Sequence, residues 1–62
     1  MKFNENLKYL RSKAKLSQEK LAEDLNVSRQ AVTKWESGKS LPSIHNLKEM
    51  AIIFKVTTDE LL

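Results

Sequence analysis

Gly38 and Pro42 are the only glycine and the only proline among 62 residues. Sheet-rich folds of this size reverse the chain repeatedly, and their turns draw on glycine for positive φ and on proline for a fixed φ. No stretch alternates apolar and polar side chains over five or more positions, which is the pattern of a half-buried strand. The expected fold class is all-α.

Hydroxyl residues set the helix starts, because a serine or threonine oxygen accepts a hydrogen bond from a first-turn backbone N–H. Leu7, Leu10 and Ala14 recur at helical spacing behind Asn4, the expected N-cap of a first helix. Ser17 caps a second stretch with the apolar stripe Leu21, Ala22 and Leu25, and Leu16 is placed to staple onto Leu21. Ser28 caps a third, from about Arg29 to Ser37, with Val27 and Val32 as its staple and Gly38 as its stop. Ser43, after Pro42, opens a fourth in which Ile44, Leu47, Met50, Ala51 and Phe54 share a face. Thr57 and Glu60 form a capping box for a short fifth helix carrying Leu61 and Leu62. One domain over residues 1–62 is expected, with no repeat, low-complexity tract or linker.

Composition narrows the function classes. A chain this short buries only about 60% of its unfolded surface, which leaves little room for an enclosed catalytic pocket. The absence of cysteine removes disulfides, thiolate metal sites and cysteine nucleophiles, and fits a reducing cytoplasm. The longest apolar run, Met50 to Phe54, is far shorter than the ~20 residues of a membrane helix, and MKFNEN lacks the apolar core of a secretory signal. Charge is uneven: residues 1–40 hold nine Lys/Arg against five Asp/Glu, and residues 41–62 hold two against three. A positive face on the first two thirds attracts polyanions such as nucleic acid.

Only Asn26, Val27 and Ser28 separate the second helix from the third. Three residues do not let the third helix fold back antiparallel, so the two cross steeply. The first turn residue then needs a left-handed backbone, for which asparagine is the best non-glycine choice. Small Ala22 allows close approach. At about 100° per residue, Arg29, Gln30, Thr33 and Lys34 centre near about 70° on the third helix, and Ala31, Val32 and Trp35 near about 250°. One face packs on the core and the opposite face points outward. Arginine and lysine fit guanine O6 and N7, glutamine pairs with adenine and a threonine methyl suits the thymine methyl, all in a major groove that admits one α-helix. Gln18 at the first position of the second helix, Ser28 at the third, and Lys39 and Ser40 in the following turn are placed to hold phosphates at both ends of the pair.

Other residues have plainer readings. Trp35 lies on the apolar side and belongs in the core rather than on a base. His45 has no cysteine or second histidine to complete a metal site. Asp59 and Glu60 suit a helix N-terminus without any catalytic role. No phosphate-binding glycine loop is present, and no enzyme activity is expected.

The stretch "LSQEKLAEDLNVSRQAVTKWESGKSLPS", Leu16 to Ser43, resembles the helix-turn-helix of the Cro/C1 type, also called the XRE family, found in phage and bacterial repressors. The joint pattern S-Q-x-x-L-A, V-S-x-x-x-V-x-x-W-E-x-G and then proline carries the resemblance. "LKYLR" upstream and "NLKEMAIIFKVTTDELL" downstream extend it over nearly the whole chain. It implies a five-helix, lambda-repressor-like DNA-binding domain with the helix-turn-helix at about residues 18–37 and Arg29–Glu36 as recognition helix. By the same resemblance, Arg29, Gln30, Thr33 and Lys34 read bases, and Gln18, Ser28, Lys39 and Ser40 hold the DNA backbone. Glu36, turned away from the donor face, pairs with Arg11 as a structural ion pair between the first and third helices. Lys15, Asn26 and Lys55 stand where the family often has glycine, so left-handed strain is expected at these helix ends.

The function implied is sequence-specific double-stranded DNA binding by a bacterial or phage transcriptional regulator, a repressor, cytoplasmic and nucleoid-associated, with no cofactor or metal. A homodimer on a palindromic operator is expected, with Leu61, Leu62 and Ile52 or Ile53 as its contacts. The chain's end at a helix also raises the expectation of a longer regulator with a sensing or oligomerising domain. The alternative is a small helical protein-interaction module, such as an antitoxin that binds a partner protein as well as operator DNA.

Overall fold

The computed structural model, which describes residues 2–62, is built of helix and turn: α1 (Phe3–Lys13), α2 (Gln18–Leu25), α3 (Arg29–Glu36), α4 (Ile44–Phe54) and α5 (Thr58–Leu61), with no strand among the described residues. Four helices begin on the expected hydroxyls. Ser17 Oγ accepts from the Lys20 N–H at 2.9 Å, Ser28 from Ala31 at 3.2 Å, Ser43 from Asn46 at 3.2 Å and Thr57 from Glu60 at 3.0 Å. The Glu60 carboxylate returns the bond from the Thr57 N–H at 2.9 Å, closing the capping box.

The first helix departs from expectation. Its N-cap is Lys2, not Asn4, and the Glu5 carboxylate accepts from the Lys2 backbone N–H at 3.2 Å. Starting earlier brings Phe3 into the helix one turn before Leu7, and both side chains are buried. Burying a phenylalanine outweighs the gain of about 1 kcal/mol from an asparagine cap. Ala14, expected on the apolar stripe, is instead the exposed C-cap.

The helix ends share one geometry. Left-handed Lys15 (φ 60), Asn26 (φ 59), Gly38 (φ 78) and Lys55 (φ 58) follow α1 to α4 in turn. At each end the residue after the left-handed one donates back to the helix: Leu16 to Arg11, Val27 to Ala22, Lys39 to Lys34 and Val56 to Ala51, at 2.9 to 3.1 Å. These are Schellman turns, and Leu16, Val27 and Val56 add the apolar contact that accompanies them by packing on the core. Three of the four turns hold a side chain where glycine would be unstrained.

Leu7, Leu21, Val32, Met50 and Leu61 are completely buried and form the centre, with Phe3, Ala22, Leu25 and Trp35 around them. On α4 the inward face is Met50 flanked by Leu47, Ile53 and Phe54, whereas Ile44, expected on that face, is 68% exposed. Ile44 is the first residue of α4, beside the loop rather than over the core. α5 is held from α1 as well as α4: Asn6 Nδ2 donates to the Leu61 carbonyl at 3.2 Å. Full burial removes Leu61 from any intermolecular contact, and Ile53 is half-buried, so only Ile52 and Leu62 of the expected dimer residues are exposed.

Lys55→Gly is expected to raise Tm by about 2–6 °C: it relieves about 1–2 kcal/mol of left-handed strain against about 0.4–1 kcal/mol of added unfolded-chain entropy. Lys55→Ala keeps the Cβ and is expected to shift Tm by under about 2 °C. Thermal melts followed by circular dichroism measure both, and a lower Tm for the glycine variant contradicts the strain assignment.

Candidate nucleic-acid interface

The turn between α2 and α3 begins with left-handed Asn26, and Val27 plugs it into the core. α3 then runs with Val32 and Trp35 buried, 0% and 5% exposed, and Ala31 packed beside them. Turned the other way are Arg29, Gln30, Thr33 and Lys34, all exposed. Together with Ser37 and Lys39 these four line one shallow, open concavity. Ser28, at the start of α3, and Ser40, in the loop after it, are also exposed.

Charge on this face is unspent. Arg29, Lys34 and Lys39 form no ion pair among the described residues. Lys20 on α2 differs: it lies 3.2 Å from Glu23 and 3.4 Å from Asp24, and hydrogen bonds to these carboxylates raise its pKa above the ordinary lysine value. Cations without an internal partner are the ones that can exchange counterions for phosphates.

Behind the concavity lies a polar chain joining three helices. Arg11 of α1 donates Nε to Glu36 Oε2 at 2.5 Å and Nη2 to Oε1 at 3.1 Å, and its Nη1 reaches the Leu16 carbonyl at 2.8 Å. The Glu36 side chain is 3% exposed and that of Arg11 16%. Gln18, the first residue of α2, donates Nε2 to Glu36 Oε1 at 3.0 Å. Thr33 of α3 places its hydroxyl 3.1 Å from Gln18 Oε1 and 3.1 Å from the Arg29 carbonyl. A buried carboxylate left without donors is strongly unfavourable, and here three side-chain donor contacts, two of them from the bidentate guanidinium, satisfy it.

Sequence reasoning missed the engagement of Gln18. Its amide is occupied on both sides by protein groups, and because Ser17 takes the Lys20 and Leu21 N–H groups, the Gln18 and Glu19 N–H groups are the ones in the α2 first turn without an acceptor among the described residues. The available signal was the lone-pair inventory of Glu36: one arginine fork does not exhaust a carboxylate, and a buried one needs a further donor. His45 lies on the surface of α4, 3.8 Å from Glu49. No group of three or more His, Cys, Asp or Glu side chains that could hold a metal ion is found among the described residues. No helix among them is long and apolar enough to cross a membrane.

Two short packed helices joined by a three-residue turn, the second with a cationic, donor-rich outer face, define a helix-turn-helix DNA-binding unit. The family model described as helix-turn-helix matches residues 7–61, and the chain belongs to that family, of the Cro/C1 type. It is 55% identical over 62 residues to the HTH-type transcriptional activator BcrR of Enterococcus faecalis, covering 100% of this chain and 30% of that protein. A transcriptional regulator from Listeria innocua has a closely similar crystal structure, with a TM-score of 0.94 and 36% identity over 98% of this chain and 57% of that one. The restriction-modification controller protein C.AhdI of Aeromonas hydrophila superposes with a TM-score of 0.87 at 32% identity, covering 97% of this chain and 91% of that one. The chain thus spans less than a third of the curated E. faecalis relative.

Glu36→Ala is expected to cost about 3 kcal/mol, because it leaves the Arg11 guanidinium partly buried without its counter-charge. In a denaturant double-mutant cycle with Arg11→Met and Glu36→Leu, the double variant should be less destabilised than the sum of the singles by about 1–3 kcal/mol. Strict additivity excludes the pair as the tie between α1 and α3.

Proposed function

We propose that this domain binds double-stranded DNA in a sequence-specific way as the reading head of a transcriptional regulator. The observation that carries the proposal is the opposition of the two faces of α3: Val32 and Trp35 are sealed in the core while Arg29, Gln30, Thr33 and Lys34 stand outward around one concavity. Membership of a helix-turn-helix family supports it. The base-reading residues are Arg29, Gln30, Thr33 and Lys34, whose donors and methyl group match major-groove edges. Ser28, Lys39 and Ser40, with the backbone N–H groups at Gln18, grip phosphates on either side and fix the register. The unit acts by binding, without catalysis, and works where DNA is, in the bacterial cytoplasm.

One helix reads only a few base pairs, so useful specificity calls for two copies on half-sites one helical turn apart, and hence a palindromic operator. Of the expected contacts, exposed Ile52 and Leu62, 72% and 57% accessible, remain as apolar groups for that pairing. Occupancy of an operator covers whatever promoter element lies beneath it, which is repression. The E. faecalis relative is called an activator. Operator position relative to the promoter sets the sign.

Selection of bound sequences from a random duplex pool is expected to yield a two-fold symmetric site. Arg29→Ala should then cost about 1–3 kcal/mol on that site and relax preference at one base pair per half-site. Lys39→Ala should weaken all sequences alike and lower the salt slope by about 1. Unenriched pools, with no salt-dependent retention on DNA, favour the protein-interaction module instead.

A further inference from the structure

The polar chain behind the interface has a direction, and the direction ends at a base-reading residue. The Arg11 guanidinium can only donate, and the buried Glu36 carboxylate can only accept. Gln18 must therefore turn its NH₂ toward Glu36, as it does at 3.0 Å, which leaves its carbonyl oxygen facing Thr33. That oxygen can only accept. The single hydroxyl proton of Thr33 is thus directed into the protein, toward Gln18 Oε1 or the Arg29 carbonyl, both at 3.1 Å. Two acceptors on the same side also hold the oxygen in place, and with it χ1, since threonine in a helix divides between rotamers according to such bonds.

We propose that Thr33 reads the 5-methyl group of thymine by apolar contact, and that Gln18 is a positioning residue for it by holding the Thr33 hydroxyl inward. The inference rests on the DNA-binding reading above and specifies one contact within it. A free threonine hydroxyl can donate to guanine or thymine oxygens or accept from adenine or cytosine amines. With its proton retained by protein acceptors, the residue loses the donor half of that ambiguity. Its methyl group then gives thymine an advantage over cytosine at that position. The selectivity begins at Glu36, at the far end of α3, because that acceptor fixes the orientation of the Gln18 amide, and Arg11 holds the carboxylate in place.

The test uses the full chain and the duplex site selected from a random pool, with each thymine replaced singly by uracil, which lacks the methyl group alone. For the wild-type protein, one thymine per half-site is expected to show about a fourfold loss of affinity on replacement, the factor for one methyl group removed from water. Thr33→Val, which keeps the methyl contact, should preserve that ratio. Thr33→Ser, which removes the methyl, should bring it to near unity. Gln18→Ala leaves the Arg29 carbonyl as the one remaining acceptor for the Thr33 hydroxyl and should lower the thymine-to-uracil ratio measurably below the wild-type value, with folding verified by circular dichroism. A Gln18 that served only as a phosphate contact would weaken both duplexes equally and leave the ratio intact, which overturns the positioning role. Uracil tolerance at every position, a ratio preserved in Thr33→Ser or one lost in Thr33→Val overturns the methyl contact. Failure to select any site rejects the DNA-binding reading itself, a result distinct from these.

Discussion

A carboxylate that is almost wholly excluded from water fixes the arrangement of this small domain. Glu36 sits at the end of α3 with its side chain 3% exposed, and burial of a charge is tolerated only with close, directed donors. Arg11 supplies a two-pronged contact from α1 and Gln18 a third from the start of α2. The three helices are thereby tied at one point. A slip of α3 along or about its axis would break these bonds, so the bearing of its outer face is set by polar geometry and not by apolar packing alone. Apolar contacts tolerate some repacking, and directed hydrogen bonds tolerate little.

The same arrangement explains how so short a chain can present a rigid surface. Val32 and Trp35 anchor α3 from within, the Schellman turn at Asn26 sets its angle to α2, and the Ser28 cap fixes its first turn. The outer side chains then have a fixed base on which to move. Arg29, Lys34 and Lys39 carry charge that no acid among the described residues neutralises, while Lys20 is tied to Glu23 and Asp24. Three uncompensated cations on the side of the outer α3 face add electrostatic attraction to a polyanion where recognition takes place.

Much of this was legible in the sequence because it depends on local chemistry. Ser17, Ser28, Ser43 and Thr57 each cap the helix that follows, since the hydroxyl and its acceptor role lie within three residues of the N–H groups they satisfy. The left-handed turns at Lys15 and Lys55 were expected only from the glycines that the resembling family often has there, and that at Asn26 also from the three-residue turn. Failures occurred where distant burial overrode a local signal. Asn4 lost the cap because Phe3 had to reach the core, and Ile44 left the apolar face because the core lies further along α4. Leu61 is wholly enclosed between α1 and α4 partners, which a pattern two residues long at a chain end does not reveal. The bonds of Gln18 join residues 15 and 18 positions away, beyond the reach of any helical period.

The central claim is that the outer face of α3 enters a major groove. Methylation interference tests it most directly, because dimethyl sulfate marks guanine N7 in the major groove and adenine N3 in the minor groove on the same duplex. The predicted result is loss of binding on N7 methylation at guanines inside the bound site, with adenine N3 methylation there tolerated. Interference confined to adenine N3, or none at either position, would contradict it.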